Sequence, residues 1–332
     1  MTVANGGSIG TYGGTTGSSG TTGDTGSGQY WASMASSSDG TKLVAVGDPY
    51  FGGYIYTSVD SGATWTRRGI AQDWTSVASS SNGTKLVAVA ANGLAGGYIY
   101  TSADSGATWT QTGTQQLWSS VASSSDGTKL VAVIQDFAES SEVGIYTSAD
   151  SGVTWTPIRS SVGKWVSVAS SSDGTKLVAA TWGVICTSSD SGATWTTTSA
   201  EHCGGSGTWA SVASSSDGTK LVAVLDGECG NDGSIYISVD SGATWTQRGP
   251  QQYWSSVASS SDGTKLVAVG DEGLDVGYIY TSADSGATWM QRGTQQHWTS
   301  VTSSSDGTKL VAGTNFGYIG TSSDSGATWT QR

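Results

Sequence analysis

The chain of 332 residues is acidic and poor in charged side chains, with 14 Lys and Arg against 26 Asp and Glu and a net charge of −12. This charge disfavours binding to nucleic acid or to an anionic membrane through a basic surface. Apolar runs fall short of the about 20 residues that a membrane helix needs, so we expect no membrane insertion. Charged residues are 12% of the chain, about half the roughly 25% usual in globular proteins, which predicts a surface rich in Ser, Thr and Gly.

Residues 1–30 consist mainly of Gly, Ser and Thr without periodic apolar positions. Such a composition is typical of a flexible tail or linker. The opening MTVANGGSIG lacks the basic and apolar stretches of a signal peptide. Within this segment, Ser8–Tyr12 faintly repeats Tyr318–Thr321, so it is a candidate for an additional outer strand.

Residues 31–332 are seven copies of one unit, repeated at spacings of 43 to 47 residues. Each copy opens with a Trp followed by a segment like SVASSSDGTKLVAV, continues through a variable stretch, and closes with a segment like GYIYTSADSGATWTQRG. The opening tryptophans are Trp31, Trp74, Trp118, Trp165, Trp209, Trp254 and Trp298. A period of this length indicates repeats that stack or close into a ring.

Each copy predicts four short strands, which in the second copy are Trp74–Ser79, Lys85–Ala90, Gly97–Ser102 and Ala107–Gln111. The first two are joined by an Asn-Gly turn, and the other copies have Asp-Gly there, a pair that favours tight hairpins. Four antiparallel strands per copy and no helical pattern predict an all-β fold, a seven-bladed β-propeller. A stacked solenoid is the alternative, disfavoured because its end repeats would be uncapped.

The segment TSADSGATWT fits the pattern Ser-x-Asp-x-Gly-x-Thr-Trp and resembles the Asp box of bacterial-neuraminidase-repeat propellers. Sialidases, sortilin-type receptors, photosystem II assembly factors and several lectins share this box, so the resemblance implies the fold and leaves the function open. The aspartates of the box are Asp60, Asp104, Asp150, Asp190, Asp240, Asp284 and Asp324. The tryptophans that close it are Trp65, Trp109, Trp155, Trp195, Trp245, Trp289 and Trp329. Seven identical copies favour a structural role, in which the carboxylate accepts N–H bonds between strands three and four, over a metal or catalytic role.

Propeller topology sends the loop between the second and third strands and the segment that links two blades to one face, which we call the loop face. Both hairpins of each copy lie on the opposite face, the hairpin face. The hairpins are nearly identical between copies, whereas the loops vary and contain all the glutamates and histidines. Loops on a rigid scaffold often carry binding residues, although unconstrained loops would vary too. The predicted ligand-binding residues are Tyr50, Phe51, Phe137, Glu139, Trp182, His202, Glu228, Tyr253, Asp271, Glu272, His297 and Phe316.

The three cysteines and the opening tryptophans allow several interpretations. Cys203 and Cys229 belong to loop-face segments of one blade, which favours a disulfide over free thiols and, last, a metal site, because no zinc pattern matches. Cys186 replaces a Tyr of the third strand and is predicted to be a small buried filler. The opening tryptophans are expected to pack between blades, and the alternative is a ring of sugar-stacking indoles at the channel mouth.

Sialidase chemistry is disfavoured, because it needs three convergent arginines and a motif Arg-Ile-Pro that is absent, whereas the arginines here follow the closing tryptophans. We predict a non-catalytic recognition propeller that binds a glycan or a protein through the loop face, without a cofactor. The alternative is a structural or adhesive subunit of an extracellular assembly, with self-assembly through the N-terminal segment. A glycoside hydrolase with paired carboxylates is less favoured still. An extracellular or cell-surface location is preferred to the cytoplasm.

Overall fold

A computed structural model describes residues 30–47, 53–135, 143–159, 163–198, 208–227, 233–270 and 277–332. In these ranges the chain forms seven four-stranded antiparallel sheets and a 3-10 turn at Gly93–Ala95. Each sheet contains four consecutive strands in chain order. The predicted all-β, seven-bladed propeller is therefore confirmed. None of the helical turns in the described ranges is long and apolar enough to span a bilayer.

The strands of the first four blades have the following bounds. Blade 1 contains β1 (Trp31–Ser36), β2 (Leu43–Gly47), β3 (Ile55–Ser58) and β4 (Thr66–Arg68). Blade 2 contains β5 (Trp74–Ser79), β6 (Leu86–Ala90), β7 (Gly97–Ser102) and β8 (Thr110–Gln116). Blade 3 contains β9 (Trp118–Ser123), β10 (Leu130–Ile134), β11 (Val143–Ser148) and β12 (Thr156–Arg159). Blade 4 contains β13 (Trp165–Ser170), β14 (Leu177–Thr181), β15 (Ile185–Ser188) and β16 (Thr196–Thr198).

The other three blades repeat this arrangement. Blade 5 contains β17 (Trp209–Ser214), β18 (Leu221–Leu225), β19 (Ile235–Ser238) and β20 (Thr246–Arg248). Blade 6 contains β21 (Trp254–Ser259), β22 (Leu266–Gly270), β23 (Gly277–Ser282) and β24 (Met290–Gln296). Blade 7 contains β25 (Trp298–Ser303), β26 (Leu310–Thr314), β27 (Ile319–Ser322) and β28 (Thr330–Gln331).

In blade 2 the first and third strands have the predicted bounds, the second begins one residue later than predicted, and the fourth differs at both ends, because it extends to Gln116 and not to Gln111. β8 begins at Thr110 and not at Ala107. The preceding residues form a compact turn in which the Asp104 carboxylate accepts bonds from the backbone N–H and the hydroxyl of Thr108. Ser105 there has a left-handed backbone, φ 58°. This closed turn delays the strand by three residues relative to the sequence-based prediction.

The hydrophobic core lies between blades, one layer for each of the seven interfaces. The first strands of adjacent blades pack side by side around the axis. Trp74, for example, is 1% exposed and packs against Val46 and Ile55 of blade 1. It also meets Tyr100 of its own blade edge-on, with ring centroids 5.1 Å apart. All seven opening tryptophans are buried, so interblade packing accounts for them and the sugar-stacking interpretation is wrong.

Two blades replace the third-strand tyrosine that packs on the opening tryptophan. Blade 7 has Gly320, against which Trp298 and Trp329 are packed. Blade 4 has Cys186, which is 2% exposed and lies 3.7 Å from the Thr197 hydroxyl. Burial raises the pKa of the Cys186 thiol, so this cysteine is the buried filler that the sequence predicted.

We expect Cys186 to be inert to thiol reagents in the folded protein, because burial limits both access and thiolate formation. A chromogenic disulfide reagent would be applied to the Cys203→Ser/Cys229→Ser variant, in which Cys186 is the one remaining thiol. Labelling is expected to follow global unfolding in urea. Rapid labelling without denaturant would contradict the buried placement.

Among the described residues, the ring closes without a strand shared between the first and the last blade. A circle of backbone hydrogen bonds joins the first hairpins of all seven blades, with N–O distances of 2.7 or 2.8 Å. In order, Ser38 donates to Ser81, Ser81 to Ser125, Ser125 to Ser172, Ser172 to Ser216, Ser216 to Ser261, Ser261 to Ser305, and Ser305 to Ser38. The Thr299 hydroxyl adds a 2.6 Å bond to the Trp31 carbonyl at the blade 7–blade 1 junction. The proposed extra strand Ser8–Tyr12 lies outside the described residues.

Candidate functional site

The predicted ligand-binding residues divide between described and undescribed parts of the chain. The described ones are Trp182, Tyr253, His297 and Phe316. The others lie outside the described residues, as do the two cysteines of the candidate disulfide, so these remain predictions: Tyr50, Phe51, Phe137, Glu139, His202, Glu228, Asp271, Glu272, Cys203 and Cys229.

A ring of seven residues of six different types surrounds the loop-face mouth of the central channel. Each directly precedes an opening tryptophan, at the start of the innermost strand, and the set is Tyr30, Asp73, Leu117, Lys164, Thr208, Tyr253 and His297. Backbone hydrogen bonds to the following loop hold these residues in place. For example, the His297 carbonyl accepts a hydrogen bond from Asn315 N–H, and the Leu117 carbonyl accepts one from Gln135 N–H. The ring thus presents varied chemistry at seven equivalent positions on a rigid frame.

Aromatic side chains concentrate on one sector of this ring, at blades 6, 7 and 1. The Phe316 ring lies 5.1 Å from His297 and 6.2 Å from Tyr30, measured between centroids. Phe316, Tyr318 and Tyr253 are the most exposed aromatic residues in the described ranges, at 56%, 42% and 38%. We call Tyr30, His297 and Phe316 the aromatic sector. The predicted ligand-binding residues included His297 and Phe316 but not Tyr30, because only the closure of the ring places Tyr30 beside Phe316.

The charged residues of the ring lie outside this sector, on blades 2 and 4. The Lys164 ammonium lies 4.9 Å from the centre of the Trp182 ring, within range of a cation–π interaction. Trp182 is placed by a tight turn in which Thr181 N–H donates to the Val184 carbonyl. In blade 2, burial raises the pKa of the Asp73 carboxyl, against the opposing effect of a hydrogen bond from Gly93 N–H. The four described candidates therefore do not form one cluster, since Trp182 lies apart from the aromatic sector.

In the second hairpin of each blade, which we call the outer hairpin, both oxygens of the aspartate carboxylate accept hydrogen bonds from residues of the same hairpin. In blade 1 the Asp60 carboxylate accepts from Thr64 N–H at 2.8 Å, from the Thr64 hydroxyl at 2.6 Å and from the Ser58 hydroxyl at 2.8 Å. The same bonds recur in every blade, and they lower the pKa of the Asp60 carboxyl. In the other six blades they lower the pKa of the equivalent carboxyl to about 2, at Asp104, Asp150, Asp190, Asp240, Asp284 and Asp324. Carboxylates held this way support the hairpin and have little capacity left for a metal. No group of potential metal-binding side chains occurs in the described ranges.

The first hairpin of each blade, which we call the inner hairpin, uses its acidic residue in the same way. The Asp39 carboxylate accepts from the Ser37 hydroxyl at 2.6 Å and from Thr41 N–H at 3.0 Å. In blade 2 the side-chain carbonyl of Asn82 accepts the equivalent bonds from Ser80 and Thr84. An uncharged side chain therefore accepts the same hydrogen bonds as the aspartate, which indicates a structural role for this position.

The repeated lysines connect neighbouring blades on the hairpin face. Each ammonium group donates to a serine of the next blade's outer hairpin at 3.1 to 3.4 Å. The pairs are Lys42–Ser105, Lys85–Ser151, Lys129–Ser191, Lys176–Ser241, Lys220–Ser285, Lys265–Ser325 and Lys309–Ser61. Seven of the eight lysines are thus part of the ring's architecture.

All six arginines belong to the outer edge of the propeller. They lie in the fourth strands or directly after one, at positions 67, 68, 159, 248, 292 and 332. Arg67 stacks over Tyr54 at 4.5 Å, and the Arg68 Nε donates to the Thr57 hydroxyl at 3.1 Å. The convergent arginines of a sialidase are therefore not assembled at the channel.

The fold and these sites can be compared with known proteins. No protein-family model matches the sequence, and no curated protein matches it. Among solved structures, the chain is similar to YCF48 bound to D1 peptide, at 16% identity over 89% of this chain and 94% of that one, TM-score 0.64. YCF48 from Cyanidioschyzon merolae matches at 15% identity over 88% and 95% of the two chains, TM-score 0.64. The GH74 xyloglucanase from Xanthomonas campestris matches at 13% identity over 90% of this chain and 66% of its own, TM-score 0.52. At these identities the likeness shows the fold alone, a seven-bladed β-propeller shared by a peptide-binding protein and a glycosidase.

Proposed function

We propose that this chain is a non-catalytic binding propeller whose loop face recognises a segment of another protein. The observation that carries the proposal is the aromatic sector, where Phe316, the most exposed of the described aromatic residues, contacts His297 and Tyr30 at one side of the channel mouth. Tyr, Phe and Trp are enriched at protein interfaces because they bury large rigid surfaces with little loss of conformational entropy. The varied ring around the mouth would supply polar contacts that select one orientation.

The comparison with solved structures supports a protein partner. One similar propeller, YCF48, has been solved with a bound D1 peptide. The asymmetry of the loop face also favours recognition over a purely structural role, because self-assembly through repeated contacts would use the repeated hairpin face. Neither observation specifies the sequence of the partner.

The arginines support a non-catalytic role, because all six lie at the outer edge of the propeller and away from the channel. In the described part of the loop face the carboxylates are Asp73 on blade 2 and Asp226 on blade 5, with two blades between them. Paired-carboxylate glycosidases place the two groups about 5–10 Å apart. Because a similar fold occurs in a xyloglucanase, we would assay xyloglucan hydrolysis directly and expect no release of reducing sugar.

Selection of a displayed random-peptide library on the purified propeller tests the proposed function. Phe316→Ala and Tyr253→Ala are each expected to weaken the selected peptides by ~10-fold, the effect of losing a moderate interface anchor. Val153→Ala, which changes an exposed hairpin-face side chain, is the matched control and should leave the affinity unchanged. The proposal fails if no peptide is enriched, or if the hairpin-face substitution weakens binding as much as the loop-face ones.

A further inference from the structure

Adjacent blades leave grooves between them on the hairpin face, away from the loop face discussed above. The grooves between blades 2 and 3, 3 and 4, and 4 and 5 have volumes of about 260, 290 and 250 Å³. The corresponding groove between blades 1 and 2 has a volume of only about 10 Å³. The repeated sequence therefore builds grooves of two kinds.

Two differences accompany the narrow groove: Val59 lines it where Ala103, Ala149 and Ser189 line the open grooves, and the residue three positions after the closing tryptophan also differs. In blade 1 this residue is Arg68, whose Nε donates to the Thr57 hydroxyl, and Thr57 is 6% exposed. In blade 6 Arg292 covers Thr281 in the same way at 3.2 Å, leaving Thr281 8% exposed. Blades 2, 3 and 4 have Thr112, Ile158 and Thr198 at this position. There the corresponding threonines, Thr101, Thr147 and Thr187, are partly exposed along the open grooves.

The open groove between blades 2 and 3 combines an apolar wall with free hydroxyl groups. Val153, which is 75% exposed, supplies apolar surface together with the nearly buried Leu86 and Leu130. Thr101 and Thr110 also line it, and their hydroxyl groups make no hydrogen bond within the described part of the chain. By contrast the Thr108 hydroxyl is bound to Asp104, so it belongs to the hairpin. The groove thus offers donors and acceptors beside aliphatic carbon.

The charge in the groove is nearly balanced. Lys85 lines one end, and its ammonium donates to Ser151 at 3.1 Å. It also lies close enough to Asp126 to lower the pKa of that carboxyl. Because the lysine already donates to a hydroxyl and has a carboxylate in its neighbourhood, the groove does not favour an anionic ligand.

We propose that these three grooves are binding sites for the pyranose ring of a neutral sugar. A pyranose has equatorial hydroxyl groups at its edge, which can bond to the threonine hydroxyls. It also has a C–H face, which can pack against the aliphatic side chains that line the groove. A volume of about 260 Å³ equals that of roughly nine liquid water molecules at about 30 Å³ each, which is room for one ring. Three adjacent sites would bind a branched or repetitive glycan with avidity.

The blade 1 arrangement supplies the variant that tests the sites. Thr112→Arg places an arginine where blade 1 has Arg68, with Thr101 available as its acceptor as Thr57 is for Arg68. The Trp155 indole N–H, which donates to both Thr112 and the Gly152 carbonyl, keeps the latter partner. Since arginine occurs here naturally in other blades, we expect Thr112→Arg and Thr112→Arg/Thr198→Arg to fold with nearly unchanged melting temperatures.

Titration with methyl glucopyranoside, methyl mannopyranoside, methyl galactopyranoside and N-acetylglucosamine, followed by ligand-observed NMR and by soaked crystals, measures the number of sites. At least one sugar is expected to occupy three sites in the wild type, two in Thr112→Arg and one in the double variant. The inference is overturned if none of the sugars binds at about 10 mM, a very weak affinity even for one ring. It is also overturned if the double variant binds as many sugars as the wild type, or if the sugars occupy the loop face. Because peptide selection reports on the loop face, either result stands without the other.

Discussion

Gly313→Val is expected to destabilise the propeller by ~1–3 kcal/mol, the usual cost of overpacking a core. Gly313 occupies in blade 7 the position of Val46 in blade 1. A Cβ atom there would lie 2.5 Å from the Met34 methyl carbon and 2.8 Å from the Trp31 Cβ. Met34 in turn replaces the valine that the other blades have, such as Val77 in blade 2. A large and a small residue therefore compensate each other at the junction that closes the ring.

A double-mutant cycle tests this compensation. Met34→Val alone leaves a void and is expected to cost ~1 kcal/mol. The double variant restores the valine pair that blades 1 and 2 form through Val46 and Val77. It should be more stable than Gly313→Val by at least ~1 kcal/mol, a coupling typical of residues in contact. Urea denaturation monitored by tryptophan fluorescence gives the free energies of unfolding, and additive effects of the two substitutions would contradict the proposed complementarity.

The folded protein is expected to lose stability steeply as the pH falls from about 4 towards 2. Six inner-hairpin carboxyls have their pKa lowered to about 2, mainly by the serine hydroxyl that precedes each one: Asp39, Asp126, Asp173, Asp217, Asp262 and Asp306. The outer-hairpin carboxyls are lowered mainly by a threonine hydroxyl. Because a depressed folded pKa favours the ionised form, the stabilisation is complete above the unfolded pKa of about 3.9 and is lost as the pH falls through the folded pKa. Many small identical contributions in one window produce the steep transition.

Asp126→Asn provides a control for the acid effect. Asn82 shows that an amide accepts the same hairpin bonds, so this variant is expected to fold. It removes one titrating group. The slope of the unfolding free energy against pH between about 4 and 2 should therefore decrease by the contribution of one carboxyl group. Thermal and urea unfolding at a series of pH values would measure both slopes. A melting temperature that stays constant across this window would refute the assignment.

Local patterns explain why the fold was predictable. The 43-to-47-residue spacing, the Asp-Gly turns and the apolar second strands each depend on residues close together in the chain. The start of the fourth strand was predicted too early, because seven serines with left-handed backbones, such as Ser61 with φ 57°, extend the outer turn. A serine in the sequence does not predict a left-handed backbone, because residues other than glycine rarely adopt positive φ.

The candidate sites depended more on tertiary structure. Variable loops pointed correctly to the loop face as the asymmetric side, but the aromatic sector joins residues from both ends of the repeat region, Tyr30 and Phe316. The open grooves escaped the sequence analysis because it treated repeated hairpins as wholly structural. The narrow groove differs from the open ones in the contact between Arg68 and Thr57, on neighbouring strands of one blade, and in Val59, which lines it in place of an alanine or serine.

The sequence by itself determined the number of blades, the four-stranded hairpin units and the division into two faces, since a repeated local pattern produces a repeated local structure. Only the tertiary structure decided how the ring closes, where Thr299 bonds to Trp31 across 268 residues and Met34 fills the space beside Gly313. The physical reason is that closure depends on shape complementarity between the first and last blades. Such complementarity exists only once all seven blades have been placed around a common axis.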